Sequence, residues 1–166
     1  MTDSTTPTPT GSTTDGPLGR EVRLHRRFHA PMDAVWAAMT ESARLERWIG
    51  RWEGDPATGT ITFFMTAEGE DVEGQEFRIQ ECVPPQRFCA ETRTGSNLWQ
   101  VRFDLQDEGG TTRLTFAQVL GSDDPAMMGP GWEYYLDRLG ATLSGGDLQE
   151  IRFEQYHPAM CDHYAG

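Results

Sequence analysis

The spacing of apolar residues changes twice along the chain. Across residues 21–28, Val22, Leu24, Arg26 and Phe28 alternate with Arg23, His25 and Arg27. That period of two predicts a half-buried strand with one charged residue on its inner face. Pro31 then opens a short helix carrying Met32, Val35, Trp36 and Met39 on one side. After a break at residues 40–42, a second short helix gathers Leu45, Trp48 and Ile49. The two-residue period returns over residues 60–66, 74–83, 87–92, 98–105 and 111–119. Gly or Pro punctuates each junction, and the junctions are too short for parallel crossovers, so the pattern predicts an antiparallel meander. Trp132, Tyr135, Leu136, Leu139 and Leu143 finally recur at helical spacing, which predicts a helix from about Pro130 to Ser144.

Each predicted strand has one apolar face and one polar face. A sheet wet on one side must cover the other, and the late helix is the long amphipathic element available to do so. The expected fold is therefore α+β, a curved antiparallel sheet wrapped around one long C-terminal helix, with two short helices after the first strand. Beneath that helix fall Phe63, Met65, Phe77, Ile79, Trp99, Val101 and Phe116 from the sheet, facing Trp132, Tyr135 and Leu139. So many aromatic rings suit either a solid core or a cavity for a flat apolar ligand. Three polar residues interrupt the apolar faces: Arg26, Glu81 and Gln118. A buried charge is costly unless paired, so Arg26 and Glu81 require a partner, a ligand, or a bulge or splayed strand end that brings them to the rim.

The two ends read differently. Residues 1–19 are Thr, Ser, Pro, Gly and Asp with almost nothing apolar, which predicts a disordered tail. The domain then spans residues 20–146. Residues 147–166 form an extension in which Ile151, Phe153 and Tyr156 are expected to dock on the domain. His157, Cys161 and His163 in this extension have the form H-x-x-x-C-x-H. Isolated His and Cys mostly pack or face water, so no metal is expected there. His25 and His29 share a strand face but stand roughly 13 Å apart at strand rise, too far to chelate one ion.

Charge narrows the partners. The formal net charge is −12 and the pI about 4.6, which argues against nucleic acid. All 14 basic residues are Arg, so Schiff-base, pyridoxal-phosphate and P-loop lysines are excluded. No cofactor-binding pattern is present, and no cofactor is expected. The acidic run at residues 68–71 reads as a solvated turn. No apolar run reaches the ~20 residues of a membrane span, and the N-terminus lacks a signal peptide's apolar core. Cys82, Cys89 and Cys161 lack disulfide-framework spacing and read as reduced thiols, so the expected location is cytoplasmic.

Four segments in this order resemble a known family. "RRFHAPMDAVWAAMTESARLERWIG" looks like the first strand, proline-started helix and Trp-ended turn of the START-like superfamily. "QECVPPQRFCAET" is similar to its Pro-Pro hairpin, "GTTRLTFAQVL" to its last strand, and "GPGWEYYLDRLGATLSG" to its Gly-Trp helix opening. The resemblance covers residues 20–145 and points to the SRPBCC branch, near polyketide cyclase-like proteins and heat-shock ATPase activator homologues. It implies the helix-grip fold. Function is left open, because this superfamily hosts carriers, cyclases and interaction domains on one scaffold.

Binding of an apolar or aromatic small molecule between sheet and helix is the leading expectation, with Gln118 added to the lining residues above. The alternative is a cyclase-like enzyme using the same cavity, with Tyr135, Glu81 and Arg26 as proton-transfer and polarising groups. A third reading, an interaction module similar to the heat-shock activators, ranks lowest for want of a segment matching their chaperone-docking half. Sequence leaves the oligomeric state open, a homodimer included.

Overall fold

The architecture is an eight-stranded antiparallel sheet gripping a long helix, seen in a computed structural model that describes residues 7–66, 73–94 and 96–165. The strands are β1 (Gly11–Gly16), β2 (Gly19–Phe28), β3 (Arg51–Glu53), β4 (Thr60–Phe64), β5 (Gln75–Val83), β6 (Arg87–Thr94), β7 (Asn97–Asp107) and β8 (Thr112–Val119). Their spatial order is β1-β2-β8-β7-β6-β5-β4-β3, so only the step from β2 to β8 departs from sequential pairing. Helices α1 (Met32–Thr40) and α2 (Ser42–Leu45) occupy the connection between β2 and β3, and α3 (Pro125–Ser144) lies on the concave face. Short 3-10 turns and α4 (Cys161–Ala165) complete the C-terminal extension.

The helices start where elementary capping rules place them. Pro31 stands at the N-cap of α1. For α3 the Asp124 side chain accepts from the Ala126 N–H and Pro125 takes the first helical position, so α3 begins five residues before the expected Pro130. Pro130 sits inside the second turn, where it lacks the N–H that would close the helical ladder. Gly145, with φ 76°, ends the helix in the left-handed conformation that glycine adopts without strain.

The core joins Val22, Leu24 and Phe28 of β2, Leu114 and Phe116 of β8, and Phe103 and Leu105 of β7 to Leu136 and Leu139 of α3 and to Val35 and Met39 of α1. These are the inward positions that the alternating pattern selects. On the convex face Glu21, fully buried, accepts from Arg23 and Arg102 across the strands.

The N-terminal end needs correction. Residues 11–16, expected to be disordered, pair with β2 from Gly11↔Leu24 to Gly16↔Gly19. No apolar residue marks this strand, because it is an edge held by backbone hydrogen bonds and by the C-terminal extension rather than by a buried face. The remainder of that tail, residues 1–6, lies outside the described residues, as does the acidic run at 68–71. The extension itself contributes Tyr156, Met160 and Tyr164 to the core, each 2 % exposed or less.

Candidate functional site

A pocket of about 340 Å³ opens on the concave face, and its roof is mainly the α1–α2 pair rather than α3. From the helical side come Trp36, Met39 and Thr40 of α1, Leu45 of α2, and Trp48 and Ile49 just beyond it. Trp52 of β3, Pro56, and Ile61 and Phe63 of β4 with Met65 close one side. The floor is Phe77, Ile79 and Cys82 of β5, Phe88 and Ala90 of β6, Trp99, Val101 and Phe103 of β7, and Phe116 of β8. From α3 only Trp132 reaches it. All five tryptophans of the chain line this space.

The local sequence explains how the roof is held. The last carbonyls of a helix lack internal donors. Here indole N–H groups supply them: Trp48 Nε1 donates to Ala38 O at 2.9 Å, and Trp52 Nε1 donates to Thr40 O at 2.8 Å. Ser42 ties the same region to β3, donating to Trp52 O at 2.8 Å and accepting from Trp52 N at 2.9 Å. Gly50 follows because a Cβ there would stand 2.2 Å from Phe64 O. Trp48 and Trp52 thus reach the pocket with their polar edges already bonded to backbone.

The walls are continuous rings. Phe63 meets Phe77 edge-on at 6.0 Å, Phe77 meets Trp99 at 5.6 Å, and Trp99 lies 6.1 Å from Trp132, which packs on Phe116 at 4.4 Å. On the other side Trp36 lies 5.6 Å from Phe103, and Phe88 stacks on Phe103 at 5.5 Å. Trp132 Nε1 donates to Gln118 Oε1, and Thr40 Oγ1 donates to Trp36 O at 2.7 Å. Among the described residues, no carboxylate, imidazole or guanidinium belongs to the wall, and its one ionisable side chain is Cys82, whose thiol burial pushes above the ordinary value and so keeps neutral.

Of the residues expected to line the cavity, Phe63, Met65, Phe77, Ile79, Trp99, Val101, Phe116 and Trp132 stand at this wall. Gln118, Tyr135 and Leu139 do not. Gln118 is fully buried behind Trp132 and bonds Asp123 at 3.2 Å with its amide nitrogen. Leu139 is sealed in the core, and Tyr135 packs edge-on against Trp132 and Tyr134. Sequence reasoning placed the pocket one helix too far along. The apolar faces of α1 and α2 were visible, but nothing in their spacing says that they, and not α3, roof the space.

The three candidate catalytic residues are not brought together. Glu81 belongs to a bulge: Ile79 pairs with Ala90 and Glu81 with Cys89, so one extra residue sits in β5. The slip turns Glu81 outward, where it is exposed and meets Arg87 at 3.4 Å, and turns Cys82 inward opposite Phe88. Arg26 does point inward, but towards α3 and the chain ends. Its guanidinium bonds Glu133 Oε1 at 2.7 Å and Asp137 Oδ1. Burial would lower the basicity of Arg26, yet Asp137 and Glu133 together hold it above the ordinary value.

His157 stacks on Phe153 at 5.5 Å, whereas His163 bonds Gly11 O through Nε2 at 2.6 Å, so the extension's histidines serve different neighbours. His25 lies on the convex face near Thr115, and burial, with Arg113 and Arg23 nearby, lowers its pKa. Among the described residues no group of three metal-ligating side chains converges.

A sheet closed around one C-terminal helix over an apolar pocket is the helix-grip architecture of the START-like, or SRPBCC, superfamily. Residues 29–144 match the family model for Activator of Hsp90 ATPase homolog 1-like proteins, and the chain belongs to that family. Among solved structures, CalU16 from Micromonospora echinospora is 27% identical over 89% of this chain and 92% of its own, with a TM-score of 0.68. EF2215 from Enterococcus faecalis, a conserved protein of unknown function, is 16% identical with a TM-score of 0.70 over 93% of this chain and 87% of its own. DynU16, a protein of the dynemicin biosynthetic locus, is 20% identical with a TM-score of 0.60 over 80% of this chain and 50% of its own. No curated protein matches the chain. Among the described residues, no helix is long and apolar enough to cross a membrane.

Proposed function

We propose that this protein binds an apolar or aromatic small molecule in the pocket beneath α1 and α2. The observation that carries the reading is the wall itself: ten aromatic side chains around about 340 Å³, with the indole N–H groups of Trp48, Trp52 and Trp132 already bonded within the protein. That volume lies in the range of ligand sites, roughly 300–1,000 Å³. A ligand entering it meets a wall that is almost wholly apolar, so the gain comes from apolar burial and ring contacts. Among the described residues the wall offers no carboxylate or imidazole for the cyclase-like alternative, which is why binding is the reading preferred. The three cysteines are free, which fits a reducing compartment and a cytoplasmic protein.

Because every tryptophan lines the pocket, intrinsic fluorescence reports its occupancy. Titration with 1-anilinonaphthalene-8-sulfonate and with uncharged polycyclic aromatics is expected to give saturable quenching at one site per chain. Ala90→Phe, which places a ring on the pocket floor, is expected to abolish that signal while the thermal midpoint holds. Non-saturable binding, or binding indifferent to Ala90→Phe, would remove the reading.

A further inference from the structure

Away from the pocket, the two ends of the chain meet on a single buried carboxylate. Glu133 of α3 is 0% exposed, and both of its oxygens are filled. Oε1 accepts from Thr10 Oγ1 at 2.6 Å and from Arg26 Nη2 at 2.7 Å. Oε2 accepts from Thr10 N at 2.5 Å and from the Tyr164 hydroxyl at 2.7 Å. Asp137, one turn on, takes the other arm of Arg26 and the Tyr156 hydroxyl. Four donors therefore reach Glu133 from three segments that are remote from one another in sequence.

The surroundings are shaped for this meeting. A Cβ at Gly129 would stand 2.1 Å from Tyr164 Cγ, so only glycine lets the Tyr164 ring lie directly on α3. Thr13 Oγ1 donates to Tyr164 O at 2.6 Å, and His163 bonds Gly11 O, so α4 also caps the free edge of β1. Burial, with Glu133 close by, raises the Tyr164 hydroxyl's pKa, which keeps it a donor. Thr10, Arg26, Tyr156 and Tyr164 all lie outside the residues that match the family, 29–144.

We propose that Glu133 anchors a clasp in which β1 and α4 are held, and released, as one unit on α3. The physical reason is the buried carboxylate. If the N-terminal segment leaves, each oxygen of Glu133 loses one of its two donors, and if α4 leaves, Oε2 keeps only the Thr10 N–H, so one-sided opening leaves a buried carboxylate with fewer donors and is penalised. Opening then proceeds through a state in which both ends leave and water reaches the carboxylate. The clasp lies beyond the pocket reading and stands or falls separately from it.

Amide hydrogen exchange on the full chain tests the coupling. Glu133→Gln keeps the shape but presents an NH₂ to donors, and is expected to speed exchange in residues 11–16 and 161–165 together, by about tenfold or more, with β6 and β7 unchanged. The sharper variant is Thr10→Val, which removes one hydroxyl from the N-terminal segment and is expected to speed exchange in 161–165 as well as in 11–16. It also carries the test if Glu133→Gln fails to fold. Glu150→Gln, on the exposed part of the extension, is the control and should change neither. Acceleration confined to residues 11–16 in Thr10→Val, no change in either variant, or a rise uniform over the whole sheet would each overturn the clasp.

Discussion

Trp132 and Glu133 are neighbours on α3 and belong to opposite kinds of interior. Trp132 faces rings that leave a space unfilled. Glu133 faces hydroxyl, amide and guanidinium groups that leave none, and no buried side-chain nitrogen or oxygen among the described residues lacks a partner. The contrast follows from the two kinds of force. Ring packing is non-directional and tolerates a gap at the cost of lost contacts, whereas a buried carboxylate demands a donor at each oxygen. A pocket can therefore persist among the tryptophans, while the region around Glu133 has to be completed by whatever segment supplies the donors.

The largest expected effect lies on the polar side. Arg26→Met removes the cation that two carboxylates share and leaves Asp137 and Glu133 as neighbouring buried or half-buried charges. Breaking such a network by one partner costs on the order of 3–5 kcal/mol, to be read from denaturant midpoints. Glu81→Ala, at an exposed ion pair, should leave the midpoint where it was. Equal effects from the two would mean that Arg26 is solvated rather than clasped.

These two residues also show what the sequence could reveal. Alternation placed Arg26 inward correctly, because β2 is regular throughout its pairing with β8. The same rule misplaced Glu81, since a bulge shifts the side-chain period by one and leaves no mark in the residue pattern. The strands from β4 to β8 and α1 were legible because each turns an apolar face to the interior, whereas α2 is only Ser42–Leu45, buries none of its residues, and was legible through Trp48 and Ile49 just beyond its end. β1 was not, having no such face, and β3 is only three residues long. The start of α3 was signalled by Asp124 and Pro125, but the first heavily apolar positions lie later and drew the boundary to Pro130. Glu133 and Asp137 carry no mark in the apolar spacing of α3, and only the folded chain ends leave Glu133 fully buried and Asp137 half-buried.

On the apolar side, Trp132→Ala comes next. Its ring is 8% exposed and packs on Phe116, Trp99 and Tyr135, while its N–H serves Gln118. Truncation should cost about 3 kcal/mol, near the lower end for a buried tryptophan because part of its surface already borders empty space. The space it vacates adjoins the pocket, so this variant should accept a larger aromatic probe than the wild type does. A loss of stability without any change in probe preference would show that Trp132 is core and that the wall ends at Trp99.

The smallest expected effect belongs to Tyr135, and it draws the border between the two interiors. From the sequence alone the Tyr135 phenol seemed placed to meet a ligand. In the fold the ring is 9% exposed, lies 6.1 Å from Trp132 and 5.0 Å from Tyr134, and is screened from the pocket by Trp132. Tyr135→Phe keeps the ring and these edge-on contacts and loses only the hydroxyl's interactions. The midpoint should fall by no more than about 1.5 kcal/mol, the net worth of one neutral hydrogen bond. Probe affinity measured by tryptophan quenching should stay within about twofold, or roughly 0.4 kcal/mol. A tenfold weakening of binding at unchanged stability would carry the pocket past Trp132 along α3, and the polar interior would then begin at Glu133 with nothing between the two.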